Sequence, residues 1–415
     1  MQIFYNLFIF FYRLTVLFVS PFNNKAAKWV SGRRNIFDRI EKKLAEPRGN
    51  REKIFWFHCA SLGEFEQGRP LMEEIKARSP QIKIVLTFFS PSGYEIRKNY
   101  TGADYIFYLP HDSPVNARKL VSMLSPAAVF FIKYEFWFNY LQALKTAGIP
   151  VFLVSGIFRE KQYFFAWYGI WFRKKLKCFS HFFLQDDSSA ALLSRHGFSN
   201  VTVCGDTRFD RVLKISRSTA SLPLAEHFCG GFSVLVAGST WEEDEQLLAG
   251  FINSGTHNLK YIIAPHEIKE ENIRMLMSLL KVPAVRYSEA KQETVSGYTV
   301  LIVDNMGMLS SLYRYGRMAY IGGGFGKGIH NILEAAVFGQ PVLFGPRFDK
   351  FREARELIKA GGAFSVRNSG ELYHAVNLLC SSPGKHSAVS GISRKYVEEN
   401  AGATARILSA VGMPA

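Results

Sequence analysis

The sequence predicts an α/β chain built from two doubly wound domains, each around a parallel sheet. Three observations carry that reading. Short apolar runs alternate with helix-like segments along most of the 415 residues. A Ser-, Gly- and Pro-bearing stretch at 214–231 separates two such series. A glycine-rich turn, Gly322 to Gly328, follows an apolar run in the second series. The length suits two domains of ordinary size, each with its own core.

Taken in order, Ile3 to Val19 is almost wholly apolar and aromatic, broken by Asn6 and Arg13, and Lys25, Lys28, Arg33 and Arg34 follow. That run is at the short limit for a membrane span and carries a charge at its middle. No basic segment precedes it and no small-residue cleavage site follows, which argues against a signal peptide. Residues 1–22 therefore read as an N-terminal membrane anchor or interfacial helix, with the basic residues on the cytoplasmic side. The other reading is a first helix packed on the domain.

Residues 23–213 form the first domain. Strands are expected at Ile54–His58, Lys83–Phe88, Tyr105–Leu109, Ala128–Ile132, Val151–Val154, His181–Gln185 and Val201–Cys204. Helices fall between them, among them one from the Cys59–Glu64 turn to about Arg78, one at Asn139–Ala147 and one at Ser188–His196. Residues 214–231 read as a linker. Residues 232–415 form the second domain, with strands at Ser233–Ala237, Tyr261–Ala264, Val300–Val303, Met318–Ile321 and Val342–Phe344. Residues 352–360, 370–380 and 388–410 read as helical, and the last helix could pack back on the first domain.

Net charge is +16, unevenly spread: residues 1–200 hold 28 Lys and Arg against 15 Asp and Glu, and residues 201–415 hold 23 against 20. A basic N-terminal half calls for an anionic partner, whether nucleic acid, acidic lipid or a phosphorylated substrate. The five cysteines form no C-x-x-C pair, and no H-E-x-x-H occurs, so neither a disulfide framework nor a metal site is expected.

The glycine turn invites an anion. Asn331 is expected to cap a helix running to about Phe338, stopped by Gly339 and Pro341. A helix start behind glycines offers N–H groups and a partial positive charge. Two phosphate motifs fail, however. Gly328 follows Gly326-Lys327 where a Walker A loop needs Ser or Thr, and Lys327 stands at the third glycine of G-x-G-x-x-G. The glycines could also serve packing alone. Asn331-x-x-Glu334 resembles a capping box, so Glu334 either holds the helix end or accepts bonds from ribose hydroxyls.

In open α/β sheets ligands sit beyond the strand C-termini. Glu64 and Glu135 lie in such places, each a candidate general base. Each also has a plain reading: Glu64 as an acid favoured in a first helical turn, Glu135 as the partner of Lys133 or another cation. Between Phe158 and Phe179, aromatic residues interleave with Arg159, Lys161, Arg173, Lys174, Lys175 and Lys177. This pattern suits a membrane interface or an anionic amphiphile, stacking on nucleic acid, or a core helix with a solvated basic face.

Two doubly wound domains with a glycine turn in the second suggest a GT-B glycosyltransferase. Specific residues sharpen this. His58-x-x-Ser61-x-Gly-Glu64, Glu135-Phe-Trp137, Gly205-Asp-Thr-Arg-Phe-Asp210, Ala264-Pro-His266, Met306-Gly307 and His330-Asn-Ile-Leu-Glu334 occur in that order. Together they resemble the Kdo transferases, the 3-deoxy-D-manno-octulosonic acid transferases of lipopolysaccharide synthesis, over essentially the whole chain. The resemblance implies a GT-B fold with both domains facing a central cleft. It implies inverting, metal-independent transfer of Kdo from CMP-Kdo to a lipid A precursor (lipid IVA), with no cofactor and no nucleic-acid partner. It places the protein on the anionic cytoplasmic face of the inner membrane. The family's catalytic base falls on Glu64, and its transition-state or acceptor-site residues on Glu135 and Arg208. CMP-Kdo contacts fall on Pro265, His266, Met306, Gly307, Asn331, Ile332, Leu333 and Glu334. Arg159, Lys161, Arg173, Lys174 and Lys175 would meet the acceptor or the membrane.

Three positions depart from the family pattern. Arg208 stands where Lys is usual, Met308 replaces a Glu, and Lys133 stands where an acid is common. Arg keeps the charge but changes the donor geometry. The rivals are another GT-B enzyme, such as a lipid-A-disaccharide synthase or a nucleotide-sugar epimerase, and a non-enzymatic basic nucleic-acid-binding protein.

Overall fold

The computed structural model describes residues 1–45, 52–218 and 221–413. The chain divides into two compact units, one made of Met1–Asp210 with Gly402–Ala415, the other of Arg211–Ala401.

The first unit is built on seven parallel strands: β1 (Ile54–Cys59), β2 (Lys83–Phe88), β3 (Tyr105–Tyr108), β4 (Ala128–Ile132), β5 (Val151–Gly156), β6 (His181–Leu184) and β7 (Val201–Val203). Their order across the sheet is β3-β2-β1-β4-β5-β6-β7. The chain winds one way from β1 to β3 and the other way from β4 to β7. The reversal therefore falls between β1 and β4, which pair from Phe55↔Ala128 to His58↔Phe131. These strands are apolar on both faces, as helices covering both sides require. One face packs Trp56, Phe131, Tyr140 and Leu153, and the other Phe57, Phe130, Phe65 and Ile75.

Two terminal segments complete this unit. At the C-terminus, the helix Ala403–Ala410 adds Ile407 and Leu408 to the second of these clusters. Its first amides are capped from a distance, because Asp210 accepts hydrogen bonds from the N–H groups of Gly402 and Thr404. The expected single helix at 388–410 is two, Pro383–Asn400 and Ala403–Ala410, broken at Ala401–Gly402.

At the N-terminus, Gln2–Val19 is one helix. Among the described residues it is the one helix long and apolar enough to cross a membrane. It does not stand alone. Tyr5 Oη donates to Asp112 at 2.5 Å, Gln2 Nε2 donates to Asn139 Oδ1 at 3.0 Å, and Asn139 Nδ2 donates to Asn6 Oδ1 at 3.0 Å. Asn6, one of the two residues that interrupt the apolar run, thus lies on its docking face with Gln2 and Tyr5. The opposite side, with Ile3, Phe4, Phe8, Phe11 and Phe18, is exposed. Arg33 is no surface cation either. It is buried over the Trp29 ring and donates to the carbonyls of Leu109 and Phe89.

The second unit repeats the plan with β8 (Ser233–Thr240), β9 (Leu259–Pro265), β10 (Ala284–Arg286), β11 (Val300–Ile302), β12 (Met318–Ile321), β13 (Val342–Phe344) and β14 (Ala363–Ser365). All pair in parallel, in the order β10-β11-β9-β8-β12-β13-β14, and winding reverses between β8 and β12. The two edge strands, of three residues each, were not expected from the sequence. Residues read as linker are largely helical, in Thr207–Ser218 and Pro223–Cys229. Pro223 stands at the start of the second helix, where a missing N–H costs nothing.

The expected helix from Asn331 to Phe338 is a single turn, Leu333–Ala336, with Ile332 as its cap residue. His330 and Asn331 remain in the loop because their polar groups are engaged there: His330 N–H donates to Gly322 O, and Asn331 Oδ1 accepts from Leu333 N at 3.2 Å.

Candidate active site

In the first unit, the candidate residues gather at the C-terminal ends of β1 and β4, where the winding reverses. This is where an open α/β sheet leaves a crevice for ligands. The helix Leu62–Arg78 starts immediately after β1 and carries Glu64 in its first turn. Glu135 follows β4 by three residues. Between them, Lys133 adopts the left-handed region (φ 66°), which a side chain other than glycine enters at a cost and which turns the chain back over the strand ends.

Glu135 is buried and held from two sides. His58 Nε2 lies 3.0 Å from its Oε2, and Trp137 Nε1 donates to the same oxygen. His58 is fully buried and its Nδ1 lies 2.9 Å from Thr87 Oγ1, which also accepts from Trp56 Nε1 at 2.8 Å. His58 and Thr87 are register partners on β1 and β2, and His58 pairs with Phe131 of β4. Sheet pairing therefore sets the geometry of this relay.

Glu64 is half-buried, and its carboxylate accepts from the Ala60 amide. Its pKa is pushed up to about 8, first by the loss of water around it and then by the negative charge of Glu135. The Ala60 and Ser61 amides and the Lys133 ammonium pull in the other direction without cancelling the rise.

Arg208 joins the same group through Asp206. Its Nε and a terminal nitrogen lie 2.9 and 2.8 Å from Asp206 Oδ2. Burial would raise the Asp206 carboxyl, but Arg208, with help from Lys133, holds it below the ordinary value. Gln67, on the same helix as Glu64, donates to both Asp206 oxygens at 3.3 and 3.2 Å. Lys133 thus faces both Glu64 and Asp206, so three carboxylates and two cations share one strand-end crevice. Sequence reading named Glu64, Glu135 and Arg208. It gave no role to His58, Trp137 or Asp206, although all three stand inside the quoted motifs.

The basic aromatic segment separates into two kinds of residue. Arg159, Lys161 and Lys174 are exposed. Arg173 is half-buried and donates to the carbonyl of Phe164 at 2.8 Å, bracing its own loop. Lys175 donates to Gln142 at 3.0 Å.

In the second unit, the ends of adjacent strands β9, β8 and β12 bring three rings together. Trp241 follows β8, His266 follows β9, and His330 follows the glycine turn after β12. Trp241 stacks on His266 (centroids 4.6 Å apart) and His266 on His330 (4.4 Å). Trp241 Nε1 donates to His330 Nε2 at 3.1 Å. Burial and the neighbouring His266 push the His330 imidazole down to about 4, and burial lowers His266 as well. The His330 ring is therefore neutral near pH 7. In the sequence Trp241 reads only as part of a helix-capping segment, Gly238–Glu243, although an aromatic residue directly after a strand C-terminus was an available signal of a site.

The glycine turn is mostly closed on itself. The amides of Gly322, Gly326, Gly328 and His330 donate to carbonyls of β8 or of the turn, and Gly323 N donates to Asp244 at 2.7 Å. Asp244 also accepts from Tyr320 Oη and from Trp241 N, fixing the turn to the helix Glu242–Asn253. The expected row of open N–H groups is therefore largely spent inside the protein. Three glycines are required by close backbone approach: a Cβ at Gly322 would lie 2.3 Å from Ser239 O, one at Gly323 would lie 2.5 Å from Gly328 O, and one at Gly324 would lie 2.6 Å from the Gly345 backbone. Gly326 is different, with nothing nearer than 3.8 Å.

Glu334 is half-buried and accepts from Asn331 Nδ2 at 3.0 Å. The bond is side chain to side chain, not the backbone reciprocity of a capping box. Burial raises its carboxyl above the ordinary value, and the positive charge of Arg211 opposes the rise. Pro265 ends β9 and is buried, as are Ile332 and Leu333. Met306 and Gly307 lie in an exposed loop after β11. The structure thus brings His266 and His330 into contact, and Asn331 and Glu334 into contact.

Residues 34–211 match the family model of 3-Deoxy-D-manno-octulosonic-acid transferase (kdotransferase). Along 374 residues the chain is 26% identical to the 3-deoxy-D-manno-octulosonic acid transferase of Bordetella pertussis, covering 86% of each protein. It is 29% identical over 339 residues to that of Aquifex aeolicus, covering 80% of this chain and 87% of the relative. Among solved structures, the UDP-GlcNAc 2-epimerase of Neisseria meningitidis superposes with a TM-score of 0.60 at 17% identity, over 87% of this chain and 99% of the other. That likeness speaks to the fold alone, a GT-B arrangement of doubly wound sheets. With the family match across the strand-end carboxylates, and relatives aligned along most of its length, the chain is similar to the Kdo transferases, and these likenesses support a glycosyltransferase.

Proposed function

We propose that this enzyme moves Kdo from CMP-Kdo to a hydroxyl of a lipid A precursor (lipid IVA), with inversion, at the cytoplasmic face of the inner membrane. Glu64 is the general base. The observation that carries this reading is the Glu64–Glu135 pair at the strand ends, where lost hydration and a like charge raise Glu64 to about 8. A base is most useful when its pKa lies near the working pH, and few surface carboxylates come close.

In the proposed step, Glu64 takes the proton of the acceptor hydroxyl while that oxygen bonds to the anomeric carbon of Kdo. The bond from that carbon to the phosphate oxygen breaks, and its electron pair leaves with CMP. Attack from the side opposite the leaving group inverts the centre, as in inverting glycoside hydrolysis. Glu135, held by His58 and Trp137, keeps Glu64 basic and orients the acceptor. Lys133 and Arg208 offer the positive charge that a phosphorylated sugar needs. Pro265, His266, Met306, Gly307, Asn331, Ile332, Leu333 and Glu334 hold CMP-Kdo, with Glu334 accepting from ribose hydroxyls. The basic, aromatic surface with Arg159, Lys161 and Lys174 meets the anionic membrane, with Arg173 and Lys175 shaping it.

The nucleotide part is tested by calorimetry. Glu334→Ala should weaken CMP binding about tenfold, the worth of a charge-assisted hydrogen bond or two. Unchanged affinity would leave Glu334 as a partner of Asn331 and nothing more.

A further inference from the structure

We propose that a cavity beside Glu135 seats a fatty acyl chain of the acceptor. This rests on the reading of the acceptor as an acylated sugar. The cavity holds about 480 Å³ and lies between the N-terminal helix and the aromatic segment, with Phe4, Phe8, Ile9, Phe138, Trp171 and Phe172 in its wall. Among the described lining residues, Glu135 is the one charged side chain.

Three features select an alkyl chain. The space is many times the volume of a water molecule and open at the surface, so it can admit a chain. An apolar cavity gains little from water and takes apolar guests. The cavity also opens onto apolar surface. Phe4 and Phe8, in its wall, are 69% and 64% exposed, and they continue into Phe11, Phe18 and Phe22 at 60%, 79% and 84%. Exposed apolar surface of that extent is normally covered, here by lipid. A guest with its tail toward that surface and its polar end at Glu135 has the polarity of a membrane amphiphile whose sugar reaches the proposed base. The wall is preformed, because Gln2, Tyr5 and Asn6 tie the helix to Asn139 and Asp112.

The test uses the full chain and parinaric acid, a fluorescent fatty acid, as probe. Phe8→Asp sets a charge in the tail path and should weaken probe binding at least tenfold, since each methylene withdrawn from water is worth about fourfold. Phe8→Leu keeps the wall apolar and should retain binding. Phe18→Asp, on the same helix but outside the cavity, should leave probe affinity unchanged. Equal binding by Phe8→Asp and the unaltered chain, or an equal loss in Phe18→Asp, would overturn the proposal. As a second measure, kcat/KM for detergent-dispersed acceptors should rise with acyl length in the unaltered chain and lose that dependence in Phe8→Asp. A length-independent unaltered enzyme would also overturn it. Glu64→Gln should keep probe affinity, so failure of the base and failure of the cavity are read separately.

Discussion

Glu64→Gln lowers turnover by roughly 10²-fold or more while CMP affinity stays within about twofold, because a general base contributes about that much to the chemical step and nothing to donor binding. Gln keeps the shape and still accepts from the Ala60 amide through its carbonyl oxygen. The substitution therefore isolates the proton transfer. The pH profile supplies an independent reading. A base must be unprotonated to act, and Glu64 sits at about 8, so kcat should climb with pH through that value. At pH 6 the rate should be about a hundredth of its plateau, two units below the pKa. The limb should vanish in Glu64→Gln. A flat profile between pH 6 and 8 in the unaltered enzyme, or near-normal turnover in the variant, would take Glu64 out of that role.

The second large effect is structural. Gly322→Ala should destabilise the second unit by about 3 kcal/mol, since the new Cβ would press on backbone that cannot swing aside, at 2.3 Å from Ser239 O and 2.6 Å from Thr240 Cα. Thermal melting of a unit this size should then begin roughly 6 °C lower or more. Gly326→Ala gives the contrast. Its Cβ meets nothing nearer than 3.8 Å, so stability should hold. If the turn approaches the nucleotide at that point, CMP affinity alone should fall in Gly326→Ala. An unchanged melt in Gly322→Ala would show that the backbone there has more room than the packing indicates.

Much of this was legible in the sequence, for reasons that can be named. Doubly covered parallel strands are uninterrupted apolar runs, so β1, β2, β4, β9 and β12 were visible as such. Glu64 and Glu135 were visible because they follow two of those runs within five residues. The strands β10 and β14 were not, since three residues at a sheet edge leave too short a pattern. The turn at Leu333–Ala336 was read as a longer helix because Ile332 to Val337 is apolar apart from Glu334 and holds no breaker, while the polar bonds that hold His330 and Asn331 in the loop leave no periodic trace. Asn6 looked like an interruption in a membrane segment. Its bond to Asn139, 133 residues away, makes it a docking point that no local pattern reveals. The His58–Glu135 contact is of the same kind: it exists because β1 pairs with β4, a fact of topology rather than spacing. The glycines could be read as a ligand cradle or as a packing device, and the backbone contacts at Gly322 and Gly324 assign those two to packing.

The most direct measurement is the mass of the product. The protein is incubated with CMP-Kdo and a tetraacyl lipid A precursor, and the acceptor is then weighed by mass spectrometry. The account predicts an acceptor heavier by one or more Kdo residues, with CMP released in equal amount, and only when CMP-Kdo is the donor. An acceptor left unchanged by CMP-Kdo but extended from a UDP-sugar would contradict it.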